Sequence, residues 1–208
     1  MIVTHEVVRY LERITPESTG VLGEMEEYGR ERRFPLIGRQ VGRFLSILAR
    51  SIGARRVFEC GSGYGYSAYW FARAVGAGGE VTLTDGSADN LAKAREFLGR
   101  AGFAERCLFR EGDALSILAE TEGPFDLILV DIDKESYPAS LEVTVDKLRS
   151  GGLLVTDNVL WDGRVAEEAP EEESTRAIQE YTRRLYEHSH LETSILPLRD
   201  GVAISRKL

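Results

Sequence analysis

Residues 55–67 read Arg55-Arg56-Val57-Phe58-Glu59-Cys60-Gly61-Ser62-Gly63-Tyr64-Gly65-Tyr66-Ser67. The run up to Cys60 is short, apolar and stopped by glycine, which marks a strand buried on both faces. The glycine loop then leads into helical periodicity over residues 67–75. The same alternation continues downstream. Residues 80–85, 107–110, 125–131 and 153–157 read as strands, and 88–101, 114–120 and 137–148 as helices, the last ended by Gly151-Gly152. Strands alternating with helices form a parallel sheet covered on both faces. After a helix at 174–187, strands at 193–196 and 202–205 are joined by a turn too short for a parallel crossover, so that pair must be antiparallel. Upstream, residues 6–13, 22–32 and 41–51 carry helical periodicity. The fold class is therefore α/β: a single domain over 1–208, with a helical extension at 1–53. Its core at 54–208 is a doubly wound, mostly parallel seven-stranded sheet ending in an antiparallel hairpin.

Composition narrows the function. The 208 residues carry 26 Lys plus Arg against 34 Asp plus Glu, a net charge of -8, which disfavours a nucleic-acid surface. The basic cluster of Arg30, Arg32, Arg33, Arg39 and Arg43 reads as a solvated face or an oligomer contact. No apolar run approaches a membrane span, the start lacks secretory features, and the two cysteines make no disulfide framework. A cytoplasmic enzyme with a small-molecule partner is expected.

Ligands of such sheets bind beyond the C-terminal strand ends. Five acids stand there: Glu59, Asp85, Asp113, Asp131 and Asp157. The glycine loop lacks the third glycine of a nicotinamide fingerprint, since Tyr66 stands in its place. Glu59 before the loop would repel a pyrophosphate but suits an ammonium group, and Asp85 is placed for ribose hydroxyls. Adenosine plus a cationic amino acid describes S-adenosylmethionine. Asp113 reads either as setting a turn, the favoured reading, or as sitting near an adenine ring, and Cys60 as a small buried hydrophobe. Neighbouring strand ends would also gather Asp131, Asp157 and Asn158, an all-oxygen set suited to Mg2+ or a similar hard cation. Lys134 beside them could serve as a general base, and it is one of only four lysines.

These stretches resemble the metal-dependent O-methyltransferases of the catechol and caffeoyl-CoA type, within the Rossmann-like class I S-adenosylmethionine methyltransferases. The likeness is carried by residues 59–67, Gly112-Asp113-Ala114, Asp131-x-Asp133-Lys134-x-x-Tyr137, residues 157–163 and residues 196–201. It implies methyl transfer to a vicinal hydroxyl of an aromatic acceptor. Asp131, Asp157 and Asn158 would hold the metal (Mg2+, Mn2+ or Ca2+), with Lys134 as base. Glu59, Gly61, Ser67, Asp85, Ala114 and Asp133 would contact S-adenosyl-L-methionine. Trp161 and Asp162 would face the substrate, and residues 164–173 would cover the acceptor side; Phe34, Trp161 and Tyr137 read equally as ring-stacking or as core residues. A homodimer is also implied. Two positions depart from the family pattern: Ile132 replaces a small residue, and Asp162 replaces an Asn, which weakens the expectation of acyl-CoA ester specificity. RNA hydroxyl methylation is the alternative within the family, and a nicotinamide oxidoreductase the alternative outside it; DNA is disfavoured.

Overall fold

The computed structural model describes residues 4–208, so the reading of the chain's start lies, for residues 1–3, outside the described residues. Three helices come first: α1 (His5–Ile14), α2 (Gly20–Arg32) and α3 (Gly38–Ser51). The alternating region follows as β1 (Arg56–Cys60), α4 (Tyr66–Val75), β2 (Glu80–Asp85), α5 (Ala88–Arg100), β3 (Cys107–Glu111), α6 (Ala114–Glu120), β4 (Phe125–Val130), α7 (Tyr137–Lys147) and β5 (Leu148–Asp157). The chain closes with α8 (Glu173–Glu187), β6 (Leu191–Leu196) and β7 (Val202–Lys207). One seven-stranded sheet has the order β3-β2-β1-β4-β5-β7-β6. Its first five strands are parallel, and β7 runs antiparallel to both β5 and β6. The expected hairpin is there.

Strand alternation divides the core into two layers. Val57, Leu83, Leu129 and Val155 pack with residues of α3, α4 and α5 on one face. Phe58, Cys60, Ile128 and Val130 pack with α6, α7 and α8 on the other. Phe58 meets Phe125 edge to face at 5.3 Å, and truncating either to Ala would cost about 3–5 kcal/mol. Short polar side chains start the helices where the sequence places them. Ser87 accepts the Asn90 N–H at 3.3 Å before α5, and Asp113 accepts the Ser116 N–H at 2.8 Å before α6. Asp113 thus sets the turn into α6, and it also lines the cleft. The bond to Ser116 holds its carboxyl below the usual range.

The basic cluster serves partly as internal ties. Arg39 and Arg43 donate to the backbone carbonyls of Glu12 and Pro16, each at 3.3 Å, and so fasten α1 and its connection onto α3.

One boundary differs from the sequence reading. Gly151-Gly152 does not end α7, which stops at Lys147; both glycines lie inside β5. Leu148 pairs with Phe125, and the register then jumps so that Leu153 pairs with Leu127. The bulge is pinned by Asp126, which accepts from Arg149 Nε at 2.6 Å. Gly152 passes so close that a Cβ would lie 3.0 Å from the Asp126 carbonyl oxygen. A glycine pair is needed there for a bulge, not for a helix stop.

From β1 the chain steps outward through β2 to β3, then returns to β4 on the opposite side of β1. That reversal opens a crevice at the C-terminal ends of β1 and β4, where the glycine loop emerges.

Candidate active site

The glycine loop is shaped by close backbone approach. Gly61 has φ +83, and a Cβ there would stand 2.1 Å from the Asp131 carbonyl oxygen. The Asp131 N–H donates to Cys60 O at 2.9 Å, so the two strand ends are stitched together at this glycine. The Ser62 N–H donates to Thr84 O at 2.9 Å, and the Gly63 N–H to Asp85 Oδ2 at 2.9 Å. Asp85 Oδ1 accepts from the Ser87 N–H at 2.9 Å and from Asn90 Nδ2 at 3.0 Å. Asp85 therefore holds the loop while facing the cleft, and Oδ2 keeps a lone pair for another donor.

Glu59 is fully buried beneath this loop. Ser62 Oγ donates to its Oε2 at 2.7 Å, and Oε1 has no partner. Burial pushes its carboxyl up to about 7; Asp131's charge adds to this, and the hydroxyls of Ser67 and Ser62 oppose it. Ser62 and Ser67 line the cleft surface and Glu59 does not. Glu59 thus lies one layer below the cleft wall, behind those hydroxyls and deeper than the sequence reading put it.

The second constellation closes around a lysine. Lys134 Nζ lies within hydrogen-bond distance of four oxygens, Asp131 Oδ1, Ile132 O and Asn158 Oδ1, each at 3.1 Å, and the Tyr137 hydroxyl at 2.8 Å, which share its three N–H donors. The Tyr137 hydroxyl in turn donates to Asp157 O at 2.8 Å. Asp157 is 3% exposed, and its Oδ1 is buried without a partner. Burial, then the nearby Asp131 charge, pushes its carboxyl up to about 7. Among the described residues no three His, Cys, Asp or Glu side chains are grouped to hold a metal. This set has two carboxylates and reaches three oxygen donors only through the Asn158 amide. The donor chemistry and the orphaned Asp157 oxygen nonetheless fit a hard divalent cation.

The loop after β5 is built from left-handed residues: Asn158 at φ +59, Trp161 at +49 and Asp162 at +52. The turn between β6 and β7 holds it in place. Asp200 accepts from the Asp162 N–H at 2.6 Å and from Asn158 Nδ2 at 3.4 Å, and its carbonyl accepts the Leu160 N–H at 2.8 Å. Accepting from Nδ2 leaves Asn158 Oδ1 turned toward Lys134. Gly201 fits because a Cβ would come within 2.8 Å of Leu160 N. Trp161 lines the cleft, and the Arg164 guanidinium lies 4.8 Å from its ring centroid.

These features meet in one cleft of about 850 Å³. The sequence matches the O-methyltransferase family over residues 13–208. The chain belongs to that family. The resemblance to class I S-adenosylmethionine O-methyltransferases thus holds, and the protein is an O-methyltransferase. It is 34% identical to a catechol O-methyltransferase of Mycobacterium tuberculosis over 77% of this chain and 73% of that one. It is 31% identical to a caffeoyl-CoA O-methyltransferase of Petroselinum crispum over 80% of this chain and 74% of the relative. In fold it superposes on the crystal structure of an O-methyltransferase from Bacillus cereus in complex with SAH, with TM-score 0.89, 26% identity, and coverage of 98% and 97% of the two chains.

In this O-methyltransferase, Gly61, Ser67, Asp85, Ala114 and Asp133 all line the cleft with Asp131, Lys134, Asp157, Asn158 and Trp161. Ile132 lines it too, beside Gly61. Phe34 lies at its mouth against Tyr64, with ring centroids 4.9 Å apart. Of the two readings of Tyr137, ring-stacking or core, the structure supports core: it is fully buried and bonded to Lys134 and Asp157. The Asp162 side chain is 83% exposed and is not among the residues lining the cleft, while its backbone N–H donates to Asp200. Of the expected cover at 164–173, Arg164 packs on Trp161. Arg199 and Asp200 show no role from sequence alone; only the fold of the hairpin brings this turn to the cleft. No helix among the described residues is long and apolar enough to cross a membrane.

Proposed function

We propose that this O-methyltransferase transfers the methyl group of S-adenosylmethionine to one hydroxyl of a catechol-like vicinal diol on a small aromatic acceptor. A divalent cation, Mg2+ or a similar ion, would be held by Asp131, Asp157 and Asn158. The observation that carries this reading is the buried, partnerless Asp157 Oδ1 beside a lysine lodged among oxygen donors. Catechol, named in the Mycobacterium relative, is itself a vicinal ring diol. When bound, the cation supplies Lewis acidity toward the diol oxygens, and S-adenosylmethionine supplies an electrophilic methyl group.

The chain's own residues do the rest. Gly61 and Ala114 let the cofactor approach the backbone, Asp85 and Asp133 meet its hydroxyls, and Ser62 and Ser67 transmit the charge of Glu59 to its ammonium group. Lys134 in its neutral amine form would accept the acceptor's proton at Nζ. Tyr137 fixes the position of that nitrogen by bonding it and Asp157 O together. Phe34 and Trp161 hold the ring so that oxygen and methyl carbon align, and orientation of this kind can lower a barrier by several kcal/mol, about 7 to 11 in the best cases. The reading includes a homodimer: α1 buries none of its residues and exposes Val7, Val8, Tyr10 and Ile14.

The test is a methyl-transfer screen over catechols, flavonoids, acyl-CoA phenols and tRNA, with Mg2+ and with excess EDTA. Mg2+-dependent methylation of a catechol supports the reading. Transfer that persists in EDTA, or that occurs only on tRNA, overturns it.

A further inference from the structure

Six acidic residues line the cleft, Asp85, Asp113, Asp131, Asp133, Glu135 and Asp157, against two basic ones, Lys134 and Arg199. The three N–H donors of Lys134 are taken up by the four oxygens around them at the floor. Those of Arg199 are not. Its guanidinium gives one N–H to the Leu36 carbonyl and, among the described residues, pairs with no carboxylate. The remaining donors of its planar fork are free for a ligand.

Two features make this placement more than a stray surface arginine. Arg199 stands at φ +51 in the turn before β7, a left-handed conformation open to glycine but strained for a long side chain. Its guanidinium also lies over bare backbone. Gly38, at φ +73, presents no side chain, and a Cβ there would sit 3.5 Å from Nη1 and 3.6 Å from Cζ. Strained residues persist where the surroundings or a task hold them in place. Leu36, Ile37 and Trp161 line the same cleft and give it an apolar wall.

We infer that the acceptor is an anionic catechol, with a carboxylate on the ring or its short side chain, and that Arg199 selects it. The inference rests on the vicinal-diol reading and deepens it: the diol lies at the Lys134 end and the carboxylate meets the Arg199 fork. A carboxylate approaching a cleft with six acids is repelled unless a cation receives it, and a guanidinium receives it bidentately. A neutral catechol has nothing to offer Arg199.

The experiment compares KM for two anionic probes, protocatechuate and caffeate, with two neutral ones, catechol and 4-methylcatechol. In the wild type the anionic pair should show KM about 10-fold or more below the neutral pair, the worth of charge-assisted bonds. Arg199→Gly should collapse that ratio toward one, and Arg199→Lys, which keeps the charge and loses the fork, should fall between. Added salt should erode the wild-type ratio as well. Arg199→Gly should melt no lower than the wild type, because glycine relieves the left-handed strain, so loss of fold does not cloud the result. Methylation of all four probes with the same ratio in both proteins overturns the inference and spares the diol reading. Methylation of none of them sinks both.

Discussion

Glu59→Gln tests the charge beneath the glycine loop, because it should move stability and ligand affinity in opposite directions. In the folded protein the Glu59 carboxyl is raised from 4.5 to about 7, mainly by burial. A carboxyl raised in the folded state holds its proton more tightly there than in the unfolded chain. Stability is therefore greatest below the unfolded value and declines as pH rises through the folded one. At about 1.4 kcal/mol per pH unit, ionised Glu59 costs the fold about 3 kcal/mol at about pH 8. Glutamine keeps the shape, carries no charge, and can still accept from Ser62 Oγ. The cofactor-free variant should thus be more stable than the wild type by about 1–3 kcal/mol at about pH 8, and equal to it at about pH 4. Asp157 titrates in the same window but does so in both proteins, so it cancels from the difference. Urea denaturation at the two pH values gives the stability. Calorimetry should show S-adenosylmethionine affinity weakened about 10-fold, since the buried charge that favours its ammonium group is gone. Lower stability than the wild type at both pH values, or undiminished affinity, would refute the reasoning.

Gly61→Ala should abolish folding or cost more than about 3 kcal/mol, since its Cβ would stand 2.1 Å from Asp131 O. Gly102→Ala, also at positive φ but with open space around it, should cost only about 1–2 kcal/mol by thermal melting. Tyr137→Phe should lose about 1–3 kcal/mol in denaturant titration, because the Asp157 carbonyl loses its donor, and kcat should fall with it. Mg2+ should raise Tm at about pH 8 and hardly at about pH 5, where the Asp157 carboxyl is protonated; Asp157→Asn should remove the rise. Lys134→Ala should slow turnover about 10²- to 10⁴-fold, with the loss shrinking at high pH where the acceptor hydroxyl ionises unaided. An unaltered rate would exclude Lys134 as the base.

Much of the fold was legible in local pattern. The apolar run 55–60 stopped by Gly61 forms the central strand, and alternation of such runs with helical periodicity makes the sheet parallel. Parallel strands all end on one side, so Glu59, Asp85, Asp113, Asp131 and Asp157 had to gather there. The five-residue turn at 197–201 forced the last pair to be antiparallel. These conclusions need only neighbouring residues and the reach of a short chain.

What tertiary structure decided involves partners far apart in sequence. Gly61 is required by a carbonyl of Asp131, and the side of the loop on which Glu59 lies depends on how Ser62 and Ser67 fold over it. Gly151-Gly152 looked like a helix stop, yet pairing with β4 and the Asp126–Arg149 contact turned it into a bulge. Tyr137 reads from sequence equally as ring-stacking or core, and only the fold shows its buried hydroxyl joining Lys134 to Asp157. Three left-handed residues carry the Asp162 side chain out of the cleft, and Asp200, on another strand pair, holds them there. Periodicity determines which face a residue occupies. Only packing between distant segments determines what each side chain touches, and the chemistry of this site lies in those contacts.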